Sequence, residues 1–408
     1  MSEPRGEDAA TKDDEAAPSE VLSPTVVRLG VVSLLTDVAG DLVTTLLPFF
    51  LVGTLGASMS AVGLIDGAAD AISSLLKVVA GRLGDGRVKK KRLVVAGYVI
   101  AALARPLIAF AASPLHVLAI RITDRVGKGI RSAPRDAWIA DVTPPERRGR
   151  AYGVHRALDN AGAFLGPILG LFLYRGLELP LTTVFLVTIV PGLLAIALLT
   201  TVPEPEAVSA PTPAVPVVGG TELPSRLRWF FAVLFVFGLA TASDAFVLLL
   251  GREIGLDETV VLGTWIGFAG LRTLLSSPGA ALSDRIGRRR SLLLGWMLYA
   301  SVYLAFSFVE GQVSWTFVLA LYAGYYALTE GAERALVADL APAAARGLAF
   351  GWFHGVLGLA LLPASWGFGA LADGFDIAVA FRVAAVVAAV ATLGLALVLR
   401  AHPSPPRT

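Results

Sequence analysis

Two stretches of the sequence, DVTPPERRGRAYG at 141–153 and DLAPAAARGLAFG at 339–351, carry the same pattern 198 residues apart. The shared positions are Asp141, Pro144, Arg148, Gly149, Ala151, Tyr152 and Gly153, which recur as Asp339, Pro342, Arg346, Gly347, Ala349, Phe350 and Gly351. A second set, Leu83, Asp85 and Lys89, recurs at an offset of 199 as Leu282, Asp284 and Arg288. Two matches at nearly the same offset predict an internal duplication, so we expect two related halves.

The composition around these repeats indicates a chain that is solvated by lipid. Of 408 residues, 55% are hydrophobic and only 16% are charged, whereas soluble domains carry roughly 25% charged residues. The mean hydropathy is +0.70. Because a membrane-spanning helix needs about 20 apolar residues, we divide the chain into twelve candidate spans. They are 27–52, 58–80, 93–112, 114–132, 150–173, 181–201, 227–250, 259–282, 291–309, 312–338, 347–370 and 377–399.

The length of these runs and their lack of strict alternation predict helices and not barrel strands. The expected fold class is therefore all-α, a polytopic membrane protein of two six-helix bundles related by a pseudo-two-fold repeat. The predicted units are a disordered cytoplasmic tail (1–26), an N-terminal half (27–202), a Pro-rich cytoplasmic linker (203–225), a C-terminal half (226–400) and a cytoplasmic tail (401–408).

Lysine and arginine residues are concentrated in alternate loops. Residues 82–92 hold six, 131–150 hold five and 285–290 hold four, while the loops between these are nearly free of them. By the positive-inside rule, this pattern predicts a multi-pass protein of the cytoplasmic (inner) membrane with both termini in the cytoplasm.

Several chemistries are absent from the sequence pattern. The chain has no cysteine and four scattered histidines, which argues against a metal centre. It also lacks a phosphate-binding loop and any nucleophile and base constellation. We therefore expect no cofactor, no nucleic-acid partner and no enzyme activity.

The loops after the second and eighth spans share a motif, GRLGDGRVKKKR at 81–92 and AALSDRIGRRR at 280–290. Here the chain resembles the major facilitator superfamily. The resemblance implies a cytoplasmic gate, with Asp85 facing the start of span 11 near Gly347 and Asp284 facing the start of span 5 near Gly149. The alternative is that these basic loops only set topology. The predicted gate set is Gly81, Asp85, Arg131, Asp284, Arg285, Gly287 and Arg288.

Span 5 carries a spaced series of small residues. Gly153, Gly162, Gly166, Pro167 and Gly170 resemble the antiporter motif of the superfamily's drug:proton exchangers, although Leu171 stands where a final glycine is usual. Such a face permits close helix packing. Generic packing is the alternative to a role in exchange.

Span 4 carries Arg121, Asp124, Arg125 and Lys128 on one helical face. Charges within a span are costly and usually face a cavity or a partner. The run partly resembles the superfamily's fourth-helix motif, in which an arginine is tied to proton transfer. A structural arginine and aspartate pair within the span is the competing interpretation.

Carboxylates within other spans complete the candidate site. They are Asp37 and Asp41 in span 1, Asp66 and Asp70 in span 2, Asp244 in span 7, and Glu330 and Glu333 in span 10. Apolar surroundings favour the neutral form of a carboxyl group, so these residues are candidate proton carriers. Asp37 and Asp41, near mid-depth of span 1, are the first candidates. Structural pairs are the alternatives: Asp70 with Lys77, and Glu333 with Arg334 or another basic side chain.

Three tyrosines of span 10 and a histidine of span 5 have two interpretations each. Tyr322, Tyr325 and Tyr326 serve either helix packing or an aromatic substrate wall. His155 shares a helical face with Asp159, where it is either a structural residue or a proton carrier.

The predicted function is proton-coupled efflux of a small molecule by alternating access. In this prediction Asp37 or Asp41 exchanges a proton against substrate, and Arg121 and Arg125 tune that carboxylate. The expected partners are a small-molecule substrate, protons and membrane lipid, and the expected state is a monomer. The alternatives are a proton-coupled symporter for a nutrient, siderophore or metal chelate, and a non-transporting membrane sensor.

Overall fold

The structure, a computed structural model, describes residues 23–83, 90–144, 147–204, 223–342 and 346–401. Within these ranges the chain is predominantly helical and contains no β-strand, which confirms the all-α prediction. The helices are α1 (Pro24–Phe49), α2 (Met59–Leu83), α3 (Lys90–Ala104), α4 (Pro114–Asp141), α5 (Arg148–Leu171), α6 (Leu181–Val187), α7 (Ile189–Thr200), α8 (Ser225–Gly238), α9 (Ala245–Glu253), α10 (Glu258–Ile286), α11 (Arg288–Phe306), α12 (Gln312–Leu340), α13 (Arg346–Gly374) and α14 (Ile377–Ala401).

Short turns and breaks join these helices into longer segments. A π-helical turn (Phe50–Thr54) follows α1, a 3₁₀ segment (Arg105–Phe110) follows α3, and a second π-helical turn (Phe172–Gly176) follows α5. Helices α6 and α7 meet at Thr188, and a break at 239–244 separates α8 from α9. Counted in this way, the described helices form twelve successive segments that overlap the twelve predicted spans. Seven of these described segments are long and apolar enough to cross a membrane.

The two halves repeat in space as well as in sequence. At the start of α3, Lys90 Nζ lies 2.6 Å from the Asp141 carboxylate at the end of α4. In the second half Arg288, at the start of α11, pairs with Asp339 near the end of α12. Each residue of the second pair lies 198 positions after its counterpart, so the duplicated sequence builds the same contact twice. By this contact Arg288 corresponds to Lys90, one position after the Lys89 that the sequence match predicted.

The helix ends form two opposite faces of the bundle, which we call the basic end and the far end. The basic end holds the starts of α1, α3, α5, α8, α11 and α13 and the ends of α2, α4, α7, α10, α12 and α14. There Lys91 Nζ donates to the Val202 carbonyl oxygen at 2.6 Å, which ties the start of α3 to the chain after α7. The far end holds the connections near 55–58, 111–113, 177–180, 254–257, 307–311 and 375–376.

Glycines of α5 bring that helix against the backbone of α1. A Cβ atom at Gly162 would lie 2.5 Å from the Leu34 carbonyl oxygen, and one at Gly166 would lie 2.7 Å from that of Val38. Both distances are shorter than real Cβ contacts, so only glycine fits at these two positions. The motif of span 5 therefore sets the spacing of α1 and α5.

The two halves touch along α2 and α13 and at the far end. A Cβ atom at Gly63 of α2 would lie 2.0 Å from the carbonyl oxygen of Ser365 in α13. At the far end the Asp373 carboxylate accepts hydrogen bonds from the backbone N–H groups of Met59 (2.7 Å) and Ser60 (2.8 Å). Because these two groups begin α2, the contact joins the first half to the second.

A second set of bonds closes the far end between α5 and α10. Arg175 Nη2 lies 2.6 Å from an oxygen of Asp257, and the Tyr174 hydroxyl donates to Glu258 at 2.7 Å. At the basic end, no atom of the described residues lies within 4 Å of a Cβ built at Gly149 of α5 or at Gly351 of α13. The bonds of Arg175, Tyr174 and Asp373 therefore join the halves at the far end.

Candidate functional site

A cavity of about 730 Å³ lies between the two halves. Of the charged candidates predicted within spans, the structure places eight on its wall: Asp41, Asp66, Asp70, Arg121, Arg125, Asp244, Glu330 and Glu333. Asp37, Asp124 and Lys128 are not among the lining residues. The volume lies in the range of small-molecule sites.

Asp41 is the cavity carboxylate of α1. It is half-buried, and no basic side chain of the described residues lies within ion-pair distance of it. The charged groups that face it are Asp37 of its own helix, Lys128 and Arg125 of α4, and Arg105 beyond α3. Asp41 is therefore surrounded by both signs of charge and bonded directly to neither.

Asp37 and Asp41 also lie on the contact between α1 and α5. A Cβ atom at Gly162 would be 3.1 Å from the Cβ of Asp37, and one at Gly166 would be 3.2 Å from the Cβ of Asp41. The glycines of span 5 and the acidic pair of span 1 therefore belong to one interface. A movement of α5 against α1 would change the surroundings of both carboxylates.

A polar chain crosses from the first half to the second through Asp66. Arg121 Nη2 lies 3.4 Å from one oxygen of Asp66, and the other oxygen accepts a hydrogen bond from the Ser243 hydroxyl at 2.8 Å. Ser243 lies in the break between α8 and α9, where helical hydrogen bonding is interrupted. The side chains of Arg121 and Asp66 are 4% and 11% exposed, so a basic and an acidic group compensate each other in a buried place.

The other charges of α4 find partners on neighbouring helices. Asp124 accepts a hydrogen bond from Arg105 Nε at 2.9 Å and lies 3.7 Å from Arg125. The predicted pair within span 4 is thus present only as this longer contact, and the closer partner comes from span 3. Arg125 in turn lies 3.4 Å from Asp70. Asp70 therefore pairs with α4, while the side chain of Lys77, its alternative predicted partner, lies outside what the structure describes.

A polar cluster lies deeper in the first half, nearer the basic end. The Ser33 hydroxyl is 3.0 Å from the Tyr98 hydroxyl and 3.1 Å from His155 Nε2, and it accepts a bond from Arg135 at 2.9 Å. His155 is 4% exposed and lies 3.8 Å from Asp159. These contacts favour the structural interpretation of His155.

Aromatic rings cover the wall that the second half contributes. Tyr322, Tyr325 and Tyr326 of α12 line the cavity beside Phe268 of α10, whose ring stacks on Tyr322 at 5.4 Å between centroids. Tyr322 also packs against Tyr303 at 6.0 Å. The tyrosines therefore contribute both to helix packing and to the cavity wall, so the two interpretations of these residues are compatible.

Two carboxylates of this wall bond to aromatic donors. The Tyr322 hydroxyl donates to Asp244 at 2.9 Å, and Trp296 Nε1–H donates to Glu333 at 3.2 Å. The predicted alternative, a pair of Glu333 with Arg334, is not among the ion pairs of the described residues. Arg334 instead lies 3.7 Å from Glu330, four positions earlier on the same face.

The predicted gate residues are spread over several environments. Gly81 lies in the last turn of α2, and Asp85 lies outside the described residues. Asp284 and Arg285 are exposed at the end of α10, and no atom of the described residues lies within 4 Å of a Cβ built at Gly149. The gate contacts expected for Asp85 and Asp284 therefore stay predictions.

The remaining gate residues have local structural roles. Gly287 has φ +91°, a left-handed conformation that favours glycine, and so permits the sharp turn from α10 to α11. Arg288 pairs with Asp339 as described above. Arg131 is 3% exposed and stacks over the Tyr98 ring at 4.5 Å inside the first half. It is a core residue because α4 continues to Asp141, beyond the predicted end of span 4 at 132.

The sequence reasoning missed Arg105, Ser243 and Arg272. Arg105 and Arg272 lie within predicted spans, and an arginine in a span is itself a signal for a partner or a cavity. Arg272 of α10 lines the cavity, with its guanidinium carbon 3.6 Å from the centre of the Tyr326 ring. Ser243 carries no comparable signal.

Comparisons with known proteins agree with this architecture. Residues 29–273 and 250–408 match the family model described as Major Facilitator Superfamily. An uncharacterized MFS-type transporter of Methanocaldococcus jannaschii is 34% identical over 354 residues, covering 84% of this chain and 87% of that protein. A multidrug resistance protein, MdtH of Photorhabdus laumondii, is 26% identical over 334 residues, covering 81% of each.

A solved structure shares the fold. The bacterial homolog of the human lysosomal transporter Spinster, crystallized in an inward-facing and occupied conformation, superimposes with a TM-score of 0.76 at 15% identity. The alignment covers 93% of this chain and 98% of that one. With two matches to the family model that together extend from residue 29 to residue 408, this chain belongs to the major facilitator superfamily of membrane transporters.

Proposed function

We propose that this transporter exports a small molecule across the cytoplasmic membrane in exchange for protons, with Asp41 as the proton-carrying group. The proposal includes cytoplasmic termini, which the basic loops support through the positive-inside rule. In that orientation Arg156 and Arg334 line the cavity on its cytoplasmic side, and the bonds of Arg175 and Asp373 close the far end toward the outside.

The observation that carries the proposal is the position of Asp41. It is a half-buried cavity carboxylate without an ion pair among the described residues, while Asp66 and Asp70 on the same wall are paired with arginines. Asp41 can take up and release a proton without first breaking such a pair.

The packing of α1 on α5 supplies a link between protonation and movement. Asp41 lies at the point where Gly166 brings the two helices together, and Lys128 and Arg125 of α4 face it. Protonation removes one negative charge from this place and weakens its attraction to α4. Alternating access then follows if the two protonation states favour different arrangements of the halves.

Export as the direction of transport is supported by two resemblances. The glycine series of α5 resembles that of drug:proton exchangers. Two relatives carry names that describe drug export, MdtH of Photorhabdus laumondii and a multi-drug resistance efflux pump PmrA homolog of Lactococcus lactis, at 26% and 28% identity.

A second candidate function is proton-coupled uptake of an anionic nutrient or chelate. The cavity wall carries Arg121, Arg125, Arg156, Arg272 and Arg334, and clustered cations attract anionic ligands. Four of these side chains pair with carboxylates: Arg121, Arg125, Arg272 and Arg334. Their charge is therefore compensated, which makes uptake of an anion the weaker of the two candidate functions.

The test is gradient-driven transport in proteoliposomes by wild type and by Asp41→Asn. Asparagine keeps the size of the side chain and cannot carry the proton, so a pH gradient should no longer drive accumulation of any substrate in a broad panel of drugs. Exchange of internal for external substrate at equal pH on both sides should be retained, because it needs no net proton movement.

The matched control for this variant is Asp376→Asn. That substitution removes an acidic side chain outside the cavity, where Asp376 accepts a bond from the backbone N–H of Ala378 at the far end. It should leave gradient-driven accumulation unchanged. Full accumulation by Asp41→Asn would remove this residue from the coupling mechanism.

A further inference from the structure

Arg272 lies in a place on the cavity wall that is built to hold a cation. Its guanidinium carbon is 3.6 Å from the centre of the Tyr326 ring, and its Nη2 is 3.6 Å from an oxygen of Glu330. Asp244 and Tyr322 also act on its charge. The face of an aromatic ring attracts a cation through its quadrupole, and the carboxylates supply the counter-charge.

This place is not sealed around the arginine. The side chains of Arg272 and Glu330 are 37% and 40% exposed, and both line the cavity between the halves. Arg272 comes from α10, whereas Tyr326 and Glu330 belong to α12, so the arginine can leave without unfolding the helix that carries the ring. Arg272 is a tethered cation on a surface that a free cation can also reach.

Removing Arg272 from this place leaves an acidic and aromatic surface. Among the described residues that line the cavity, six are acidic and five are basic. On the wall of the second half, Asp244 accepts a bond from the Tyr322 hydroxyl and Glu333 accepts one from Trp296. Among the described residues neither has a basic partner within ion-pair distance, whereas Glu330 pairs with two arginines.

The α12 stripe, which we define as Tyr322, Tyr326, Glu330 and Glu333, presents these groups on one helical face. We propose that the α12 stripe binds the cationic group of an organic cation substrate, which displaces Arg272 from the face of Tyr326. The inference rests on the proposed function, because it names the substrate class of the same cavity. The main observation behind this inference is the contact of the Arg272 guanidinium with the face of the Tyr326 ring.

The test is equilibrium dialysis of the purified full-length protein in detergent, with binding to protein-free micelles subtracted. The probes are tetraphenylphosphonium and tetraphenylborate, which have nearly the same shape and opposite charge. Wild type should bind the phosphonium and not the borate. Arg272→Ala should bind the phosphonium about two- to fivefold more tightly, the change that corresponds to a partly exposed cation–π contact.

A matched control variant distinguishes two effects of Arg272→Ala, the removal of a cation that competes for the Tyr326 ring and the general loss of one positive charge from the cavity. Arg334 also pairs with Glu330, at 3.7 Å, and Arg334→Ala should therefore raise phosphonium affinity less than Arg272→Ala does. Tyr326→Leu should abolish the gain of Arg272→Ala, whereas Tyr326→Phe keeps the ring and should retain it. The two Tyr326 variants also distinguish loss of the ring from a general packing defect.

Three results would overturn the inference. The first is that wild type binds the borate more tightly than the phosphonium and that Arg272→Ala loses this borate binding. The second is an equal increase of phosphonium affinity in Arg272→Ala and Arg334→Ala, and the third is that wild type binds neither probe. Because dialysis needs no proton gradient, phosphonium binding without proton-coupled transport would contradict the proposed function alone. Proton-coupled transport together with borate binding would contradict the substrate class alone.

Discussion

The spacing of α1 and α5 gives a graded prediction within one motif. A Cβ atom at Gly162 would lie 2.5 Å from the Leu34 carbonyl oxygen, and one at Gly166 would lie 2.7 Å from that of Val38. At Gly170 the nearest atom is a flexible Leu46 methyl carbon at 3.2 Å, and at Gly153 no atom lies within 4 Å. The same substitution, glycine to alanine, would therefore place a methyl group in different surroundings at each of these four positions.

The magnitude follows from these distances. Ordinary contacts begin at 3.4 Å, so Gly162→Ala requires the helices to separate by 0.9 Å (3.4 minus 2.5) and Gly166→Ala by 0.7 Å (3.4 minus 2.7). Overpacking of this kind costs about 1–3 kcal/mol of the free energy of unfolding. Gly153→Ala meets no atoms, and alanine in a helix is more favourable than glycine by about 1 kcal/mol.

The assay is thermal unfolding of each purified variant in detergent, followed by tryptophan fluorescence, with transport measured in parallel. The Tm should fall for Gly162→Ala and Gly166→Ala, change little for Gly170→Ala, and stay equal or rise for Gly153→Ala. Transport should fall most for Gly162→Ala and Gly166→Ala, because Asp37 and Asp41 lie at these two contacts.

Two results would refute this reasoning. If Gly153→Ala lowered the Tm as much as Gly166→Ala does, the motif would serve a purpose other than close approach to α1. If Gly162→Ala were neutral in both stability and transport, the helices would not be held at the separation described.

Two further predictions concern ion pairs. Asp66→Asn should lower the free energy of unfolding by about 3–5 kcal/mol, measured by chemical denaturation, because it leaves the buried Arg121 guanidinium without its acidic partner. Asp257→Asn should lower the Tm at neutral pH only, measured by thermal scans across pH. Hydrogen bonds from Thr259 and the charge of Arg175 hold the pKa of Asp257 below its ordinary value of 3.8, so this stabilisation is complete above that value and disappears as the pH falls through the lowered pKa.

For each of these two predictions, one experimental result would contradict the physical reason given. Asp70→Asn is the control for the buried pair, since Asp70 is 50% exposed and Arg125 keeps Asp124 at 3.7 Å; its cost should stay below about 1 kcal/mol. An equal loss from both variants would show that burial of Arg121 does not decide the effect. For Asp257→Asn, a Tm difference that persists unchanged at strongly acidic pH would contradict the role of its charge.

The segments and the duplication could be predicted from the sequence because both depend on local pattern. Apolar length predicted the twelve segments, and span 5 at 150–173 corresponds to α5 with its following turn at 148–176. The offset of 198 residues is confirmed in space by the pairs of Lys90 with Asp141 and Arg288 with Asp339.

The partners of charged residues could not be predicted in the same way. Asp124 lies among three basic residues of its own helix, yet its closest bond comes from Arg105 of the preceding segment. Asp70 pairs across to Arg125 of α4. Such choices depend on how helices are placed around each other, and helical periodicity gives only the face on which a residue lies.

The break between α8 and α9 was also missed. Residues 239–244 lie inside an apolar run, so hydropathy assigns them to one continuous span. The interruption lets Ser243 bond to Asp66 in the other half, and it places Asp244 beside Tyr322. A contact between halves thus depends on a local departure from helix that hydropathy does not detect.

The most direct test of exchange at Asp41 is the sign of substrate-triggered proton movement. Proteoliposomes would carry a pH-sensitive dye inside and no initial gradient, and a transported drug would be added outside. Our proposal predicts that the interior becomes alkaline as the drug enters and protons leave, and that Asp41→Asn abolishes this change. Acidification of the interior in step with drug entry, or an unchanged alkaline response in Asp41→Asn, would contradict it.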